Sequence, residues 1–328
     1  MQQRSLGKSG INASVVAFGA WAIGGWKWGG TNANDAIAAI ESSIDHGVNF
    51  IDTAAVYGFG VSEELVGKAI AGQPRDQLII ATKCGLRWDT TSATLHYEGE
   101  GKSVYRTLTA DSIEFEVEQS LKRLGTDYID LYQTHWPDPT LATDDVMDGL
   151  IRAKKAGKIR SIGFCNASVE MLQAAVATGE LDVNQEKYSL LDRERQQDNL
   201  PCCEQSSLAF LAYSPMAQGL LTGRTNPDRN YNEGDLRIGN PRFSNQNIAS
   251  INTLLEPLND IASGHQCGIE HIVLAWTLQQ PGVTHVLVGA RDAEQAENNA
   301  VAGSIQLSDD ELAVVNAAAN AWQGFSND

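Results

Sequence analysis

Asp52, Tyr57, Lys83 and His135 are residue types that together can move a proton onto a carbonyl oxygen. A phenol of pKa about 10 exchanges its proton poorly at neutral pH unless its anion is stabilised. Lys83 can do this: two unit charges about 4 Å apart at an effective dielectric near 20 interact by roughly 4 kcal/mol, and one pKa unit is about 1.4 kcal/mol. A buried lysine tends to lose its own proton, so Asp52 is needed to keep Lys83 charged. His135 then orients the oxygen that Tyr57 protonates. Protonation is half of a carbonyl reduction; the other half is a hydride, which no side chain supplies, so a nicotinamide cofactor is implied. Taken singly, each residue has a plainer reading. Asp52 and Lys83 make an ordinary ion pair, Tyr57-Gly58 a loop tyrosine, and His135 before Trp136-Pro137-Asp138 a strand-end histidine. Their joint placement favours the chemistry.

That placement depends on the elements. Apolar runs at 15–19, 49–54, 78–82, 128–132, 161–164, 183–190, 209–213 and 285–289 are each short enough to be a strand buried on both faces. Helical patterns lie between most of them. Ile37, Ile40 and Ile44 share a face, with Gly47 at C′. Ser62 is expected to cap a helix that turns Leu65, Val66, Ala69 and Ile70 inward and ends at Gly72. Asp111 and Glu114 form a capping-box-like start to a helix carrying Ile113, Val117, Leu121 and Leu124. Eight strands alternating with helices, without a linker, predict an α/β protein: one (β/α)₈ TIM barrel domain over 1–328. A β-hairpin turning at Lys8, Ser9 and Gly10 precedes it and is placed to plug the barrel floor. The long connections 86–110 and 218–244 follow strands and so belong to the catalytic rim.

In such a barrel the reactive groups project from the C-terminal strand ends. There the second strand presents Asp52, with Tyr57 beyond; the third Lys83; the fourth His135; the fifth Asn166. The sixth carries Gln185, the seventh ends at Tyr213-Ser214-Pro215 and the eighth at Gly289-Ala290-Arg291. A rival doubly wound sheet would use Gly58-Phe59-Gly60-Val61-Ser62-Glu63 as a dinucleotide fingerprint. The third glycine position is Glu63, however, and the next strand ends in Lys83 where an acid is expected.

Asp and Glu outnumber Lys and Arg by 41 to 24, a formal charge of −17, so nucleic acid and anionic membrane are not expected partners. A phosphate-bearing ligand must meet a few concentrated basic groups and backbone N–H. Cys84, Cys165, Cys202, Cys203 and Cys267 lack C-x-x-C spacing, which suits reduced thiols in the cytoplasm and neither a disulfide framework nor a metal site. The N-terminus has no apolar run behind its positive charge, and no uncharged stretch approaches the ~18 residues of a membrane span.

The chain resembles the aldo-keto reductase superfamily over nearly its whole length. The resemblance rests on GVNFIDTAAVYG at 47–58, SLKRLGTDYIDLYQTHWPD at 120–138, AYSPMAQGLLTG at 212–223 and GARDAEQAENN at 289–299. It implies that Tyr57 is the general acid, completed by Asp52, Lys83 and His135. It also implies that Asn166 and Gln185 hold the nicotinamide carboxamide, Tyr213 stacks beneath the ring, and Ser214, Pro215 and Gly219 cover the pyrophosphate. Gly289, Arg291, Gln295 and Asn299 meet the adenosine end, with Arg291 for the 2′-phosphate of NADP and Arg224 as a second clamp. The plain alternative for Arg291 is a surface pair with Glu294 or Glu297. Cys165 stands where many relatives carry serine. Trp21, Trp26, Trp28, Trp88 and Trp136 fall in rim segments; Trp21 is the first choice to wall the substrate pocket and is counted with the cofactor contacts. The pattern is most like bacterial glycerol dehydrogenases and glyceraldehyde reductases, which implies an NADPH-dependent reductase of a small hydroxyaldehyde, reversible on polyols. A redox-sensing subunit with slow turnover, as in potassium-channel beta subunits, is the alternative. The assembly state is left open.

Overall fold

The computed structural model describes residues 1–91, 93–99 and 101–326. Strands β1 (Gln3–Ser5) and β2 (Asn12–Ser14) form an antiparallel hairpin. The chain continues through β3 (Val16–Gly19), α1 (Ala33–Asp45), β4 (Phe50–Asp52), α2 (Val61–Ile70) and β5 (Ile79–Cys84). A small rim sheet follows, β6 (Leu86–Arg87), β7 (Thr94–Gly99) and β8 (Lys102–Arg106), then α3 (Ala110–Leu124), β9 (Ile129–Thr134) and α4 (Thr143–Lys155). The remainder is β10 (Ile159–Cys165), α5 (Val169–Ala177), β11 (Leu181–Lys187), α6 (Asn199–Ser206), β12 (Ala209–Tyr213), α7 (Asn245–Leu255), α8 (Leu258–Gly264), α9 (Ile269–Leu278), β13 (His285–Val288), α10 (Ala293–Val301) and α11 (Asp309–Ala321).

Strands β3, β4, β5, β9, β10, β11, β12 and β13 pair in parallel in chain order and close into a barrel. This is the (β/α)₈ architecture, and it excludes the doubly wound sheet. All eight apolar runs become barrel strands because each buries both faces. Every residue of β5 and β9 is buried. Phe50, Ala81, Leu131, Val183 and Leu211 fill the interior, while Ile51, Ile80 and Tyr132 face the helices.

The hairpin does plug the barrel: Leu6, Ile11 and Ala13 join the same interior cluster. Gly7 makes the close approach there, with φ +57° and a position where a Cβ would collide with the Asp182 carbonyl oxygen. Gly7→Ala is therefore expected to cost about 1–3 kcal/mol and to lower the melting temperature by several degrees in thermal denaturation.

Two helix starts differ from expectation. Gly60 caps α2 in a left-handed conformation. Ser62 lies inside the helix instead, because its buried hydroxyl donates to the Ala20 carbonyl at 2.8 Å and meets Thr53 Oγ1 at 2.8 Å. Thr109, not Asp111 with Glu114, caps α3, its hydroxyl accepting from Ser112 N at 3.2 Å. The connection 86–110 is also more ordered than its polar composition suggests. Its three-stranded sheet lays Tyr97 against Trp26, rings 5.5 Å apart, and buries Val104. The segment 218–244 arches back to 21–31 through a Trp28–Asp235 bridge and the Leu236 N–H donating to Lys27 O at 3.0 Å.

Candidate active site

Asp52 ends β4, Lys83 lies in β5, His135 follows β9, and Tyr57 sits in the turn between β4 and α2. The barrel's parallel register brings these ends to one mouth. Lys83 Nζ donates to Asp52 Oδ1 at 2.5 Å and to the Thr53 carbonyl at 2.8 Å, and both side chains are buried. The same ammonium lies 5.2 Å from the Tyr57 ring centre. The His135 ring is 5.5 Å from that of Tyr57 and nearly perpendicular to it. The four residues singled out in the sequence are thus one cluster.

Its electrostatics correct one expectation. Burial pushes the Tyr57 hydroxyl up to about 12, above its ordinary value; the Lys83 charge and a side-chain hydrogen bond to it work the other way but do not prevail. Tyr57 is therefore a protonated donor across the neutral range, and Lys83 limits how far burial disfavours its anion. Burial also works against the Lys83 charge, yet the neighbouring Asp52 leaves the ammonium above the usual lysine value. His135 is held well below the ordinary histidine range by burial, with Lys83 and His96 adding like-charge repulsion. A neutral imidazole beside Tyr57 can hydrogen-bond to a carbonyl oxygen without competing as the acid.

Asp52, Tyr57 and His135 open onto a cavity of about 1140 Å³. Ligand pockets commonly run to about 1,000 Å³, so this one has room for a large cofactor and a small second ligand. Trp21, Asn166, Gln185, Tyr213, Ser214, Pro215, Gly219, Arg224, Gly289, Arg291, Gln295 and Asn299 all line it. Lys83 does not line it, and stands behind Asp52 and Tyr57, which do.

Near Tyr57 the turn after β10 holds Asn166 at φ 56°. Its Nδ2 donates to the His135 carbonyl at 3.0 Å, and its Oδ1 accepts from the Tyr213 hydroxyl at 2.8 Å. Gln185 Nε2 donates to Asp52 Oδ2 at 3.0 Å. Trp21 lies 6.2 Å from Tyr57 in a stacked orientation and meets Trp28 edge-on at 5.3 Å. Trp26 and Trp136 also line the cavity, whereas Trp88 does not and packs on Phe59.

Arg291 pairs with neither Glu294 nor Glu297 among the described residues; its Nη2 donates to the Gly30 carbonyl at 3.1 Å, tying the turn between β13 and α10 to the segment 21–31. Gln295 is drawn to the helix cap, with its N–H 2.8 Å from Asp292 Oδ1, and Asn299 Nδ2 donates to the Gly289 carbonyl at 3.1 Å. Arg224 forms an ion pair with Glu270 at 2.5 Å, a partner that the sequence did not suggest.

Nothing in the sequence points to His96, Tyr97 or Arg237, which line the cavity, whereas Gln133 joins the site through Asp52. His96 and Tyr97 come from the rim sheet, which composition disguised as a loop. Arg237, buried against Asp235 and lying 5.0 Å from the Trp28 ring, belongs to an arch whose fold no periodicity announces. Gln133 had a signal: it is a polar residue in a buried strand, two residues before His135.

A parallel eight-stranded barrel with a tyrosine, a buried lysine–aspartate pair and a histidine at the C-terminal mouth defines an oxidoreductase of carbonyl and alcohol groups. The chain belongs to the aldo/keto reductase family, whose model matches residues 15–320. Members are NAD(P)H-dependent oxidoreductases, and this protein is one. It is 38% identical over 299 residues to Aldo-keto reductase YhdN of Bacillus subtilis (strain 168), covering 90% of this chain and 87% of the relative. It is 37% identical over 331 residues to the NADH-specific methylglyoxal reductase of Escherichia coli (strain K12), covering 98% and 100%. The solved structure of the glycerol dehydrogenase AKR11B4 from Gluconobacter oxydans superposes with a TM-score of 0.88 at 33% identity, covering 99% of this chain and 97% of that one. Among the described residues no helix is long and apolar enough to cross a membrane.

Proposed function

We propose that the enzyme reduces small aldehydes and hydroxyaldehydes of the glyceraldehyde type to alcohols with NADPH, and oxidises polyols such as glycerol in the reverse direction. The observation that carries this reading is the buried Lys83–Asp52 contact of 2.5 Å set behind Tyr57, on a cavity that Arg291 and Asn299 also line. The nicotinamide, when bound, supplies the hydride. Tyr57 gives its proton to the substrate oxygen, and the phenolate left behind faces the Lys83 ammonium. His135 orients that oxygen.

The wall fits a nicotinamide. Asn166 Nδ2 has two N–H groups and one acceptor, while Gln185 Oε1 accepts no hydrogen bond among the described residues. A donor and an acceptor side by side match the two ends of a carboxamide. The Tyr213 ring suits a planar heteroaromatic and leaves the other face open to substrate. Ser214, Pro215 and Gly219 would cover the pyrophosphate, with Gly289, Gln295 and Asn299 at the adenosine end. Trp21 stacked near Tyr57, with Trp26 and Trp136 also on the cavity wall, favours a small substrate, as do the substrates named for the methylglyoxal reductase and the glycerol dehydrogenase.

Steady-state oxidation of NADPH and NADH over glyceraldehyde, methylglyoxal, aromatic aldehydes and sugars tests the reading. Tight cofactor binding without turnover on any of them would favour the redox-sensing alternative. With Tyr57 at about 12, kcat/KM for reduction is expected to show no alkaline downturn from this group below about pH 10, while alcohol oxidation keeps rising with pH.

A second reading, with NADH as the donor, is favoured by Asp292 and Glu294, which line the cavity next to Arg291, and by the cofactor named for the E. coli relative. Arg291→Ala separates the two. Loss of a charge-assisted contact to the 2′-phosphate is expected to raise KM for NADPH about tenfold or more and to leave NADH within about twofold. Equal effects on both would rule out that role for Arg291.

A further inference from the structure

Gln133 is fully buried, on β9 inside the barrel, and nothing in the reaction described above uses it. Its Nε2 donates to Asp52 Oδ2 at 3.0 Å, and its Oε1 accepts from Gln185 Nε2 at 3.1 Å. Gln185 Nε2 also donates to Asp52 Oδ2 at 3.0 Å. The three side chains, from β4, β9 and β11, therefore close a triangle of hydrogen bonds directly beneath the catalytic mouth. The Cys165 thiol is a longer fourth member, 3.7 Å from Gln133 Oε1.

The triangle needs β10, which lies between β9 and β11, to offer no side chain where the amides cross. Gly163 meets this need: it is the register partner of Gln133, and a Cβ there would stand 2.8 Å from Gln133 Cγ. Close backbone approach or clearance for a neighbour is a recurrent reason for glycine inside a strand.

We propose that Gln133 is a positioning residue that couples the proton donor to the recognition of the nicotinamide carboxamide. The proposal rests on the nicotinamide reading above. On one side, Gln133 helps fix the carboxylate of Asp52, whose other oxygen holds Lys83 behind Tyr57. On the other, it fixes the Gln185 amide. Both N–H groups of Gln185 are spent inside the triangle, on Asp52 and Gln133, so the amide has its carbonyl oxygen left to present to the cavity. That oxygen can accept from a carboxamide NH₂ and cannot serve a group without a donor. Without Gln133, the Gln185 amide keeps one contact, to Asp52 Oδ2, and loses the second that fixes the plane of its carbonyl oxygen. Buried polar networks specify one arrangement only while every member is satisfied.

The test compares the wild type with Gln133→Leu, using tryptophan fluorescence quenching to measure affinity for NADPH, NADH and reduced acetylpyridine adenine dinucleotide. The last carries a methyl ketone in place of the amide and has no N–H to give to Gln185. Gln133→Leu is expected to weaken NADPH and NADH by about tenfold, in the range for losing an oriented hydrogen bond, and the acetylpyridine analogue by less than about twofold. Turnover is expected to fall while KM for the aldehyde changes little. Equal weakening of all three cofactors, or none, would overturn the proposal.

Gln133→Glu gives a second readout if the leucine variant does not fold. In its protonated form the new carboxyl group can still donate to Asp52 and accept from Gln185. Once ionised it cannot donate, and it faces Asp52 from β4, with Lys83 on β5 and Cys165 on β10 as the other titratable neighbours. The carboxamide preference of this variant is expected to decline as pH rises; a pH-independent preference equal to that of the wild type would overturn the proposal. Failure of the wild type to bind any of these cofactors would instead overturn the nicotinamide reading itself, and this proposal with it.

Discussion

Tyr57→Phe is expected to lower kcat for aldehyde reduction by about 10²–10⁴, the range supplied by general acid catalysis, with cofactor affinity within about twofold of the wild type. That loss corresponds to about 3–5 kcal/mol of transition-state stabilisation. The substitution removes one hydroxyl and keeps the ring. The contacts that ring makes with Trp21 at 6.2 Å and His135 at 5.5 Å therefore survive, and the cavity keeps its shape. The other titratable groups nearby are poor substitutes. His135 is held neutral by burial, and Lys83 is buried off the cavity wall with two of its N–H groups directed to Asp52 and Thr53. Stopped-flow or steady-state turnover, paired with fluorescence titration of the cofactor, checks both halves. A parallel loss of turnover and cofactor binding would mean that Tyr57 shapes the cavity and does not donate the proton.

The barrel was legible because strands buried on both faces leave continuous apolar runs, and eight such runs alternating with helices have few other solutions. Helix starts were less legible. Ser62 is a favourable cap by residue type, but tertiary contacts with Ala20 and Thr53 claimed its hydroxyl, and Gly60 took the cap through its backbone. For α3 the expected start at Asp111 with Glu114 gave way to Thr109, whose hydroxyl accepts from Ser112 N.

For the candidate site, residue type and strand-end position sufficed to collect Asp52, Tyr57, Lys83 and His135, since a barrel delivers every strand end to one face. The sign of the Tyr57 shift was not legible. Pairwise Coulomb reasoning on Lys83 predicts a depressed phenol, whereas the depth of burial, which a sequence does not display, makes desolvation the larger effect. Arg224 and Arg291 show a similar limit. Both reach the cavity as expected, but Glu270 and the Gly30 carbonyl that hold them lie 46 and 261 residues away in the chain.

Lys83→Met is expected to reduce turnover in both directions by at least about 10², and it separates two jobs that one ammonium performs. The first is structural. Lys83 is 2% exposed and gives Asp52 Oδ1 its only cationic partner among the described residues. Breaking a buried pair by removing one partner commonly costs about 3–5 kcal/mol, because the remaining charge is left uncompensated. The second job is catalytic. Lys83 is the group that opposes the upward push of burial on Tyr57, so without it the phenolate formed during reduction, and needed as the base during alcohol oxidation, becomes less accessible. A single substitution mixes the two effects. The double variant Asp52→Asn/Lys83→Met removes the stranded carboxylate along with the ammonium, leaving an amide that the N–H groups of Gln133 and Gln185 can still reach through its oxygen. Thermal denaturation is expected to show most of the lost stability restored in the double variant, while turnover stays as low as in Lys83→Met. Recovery of both together would reduce Lys83 to a structural ion-pair partner, and the proton-transfer role would have to be reassigned.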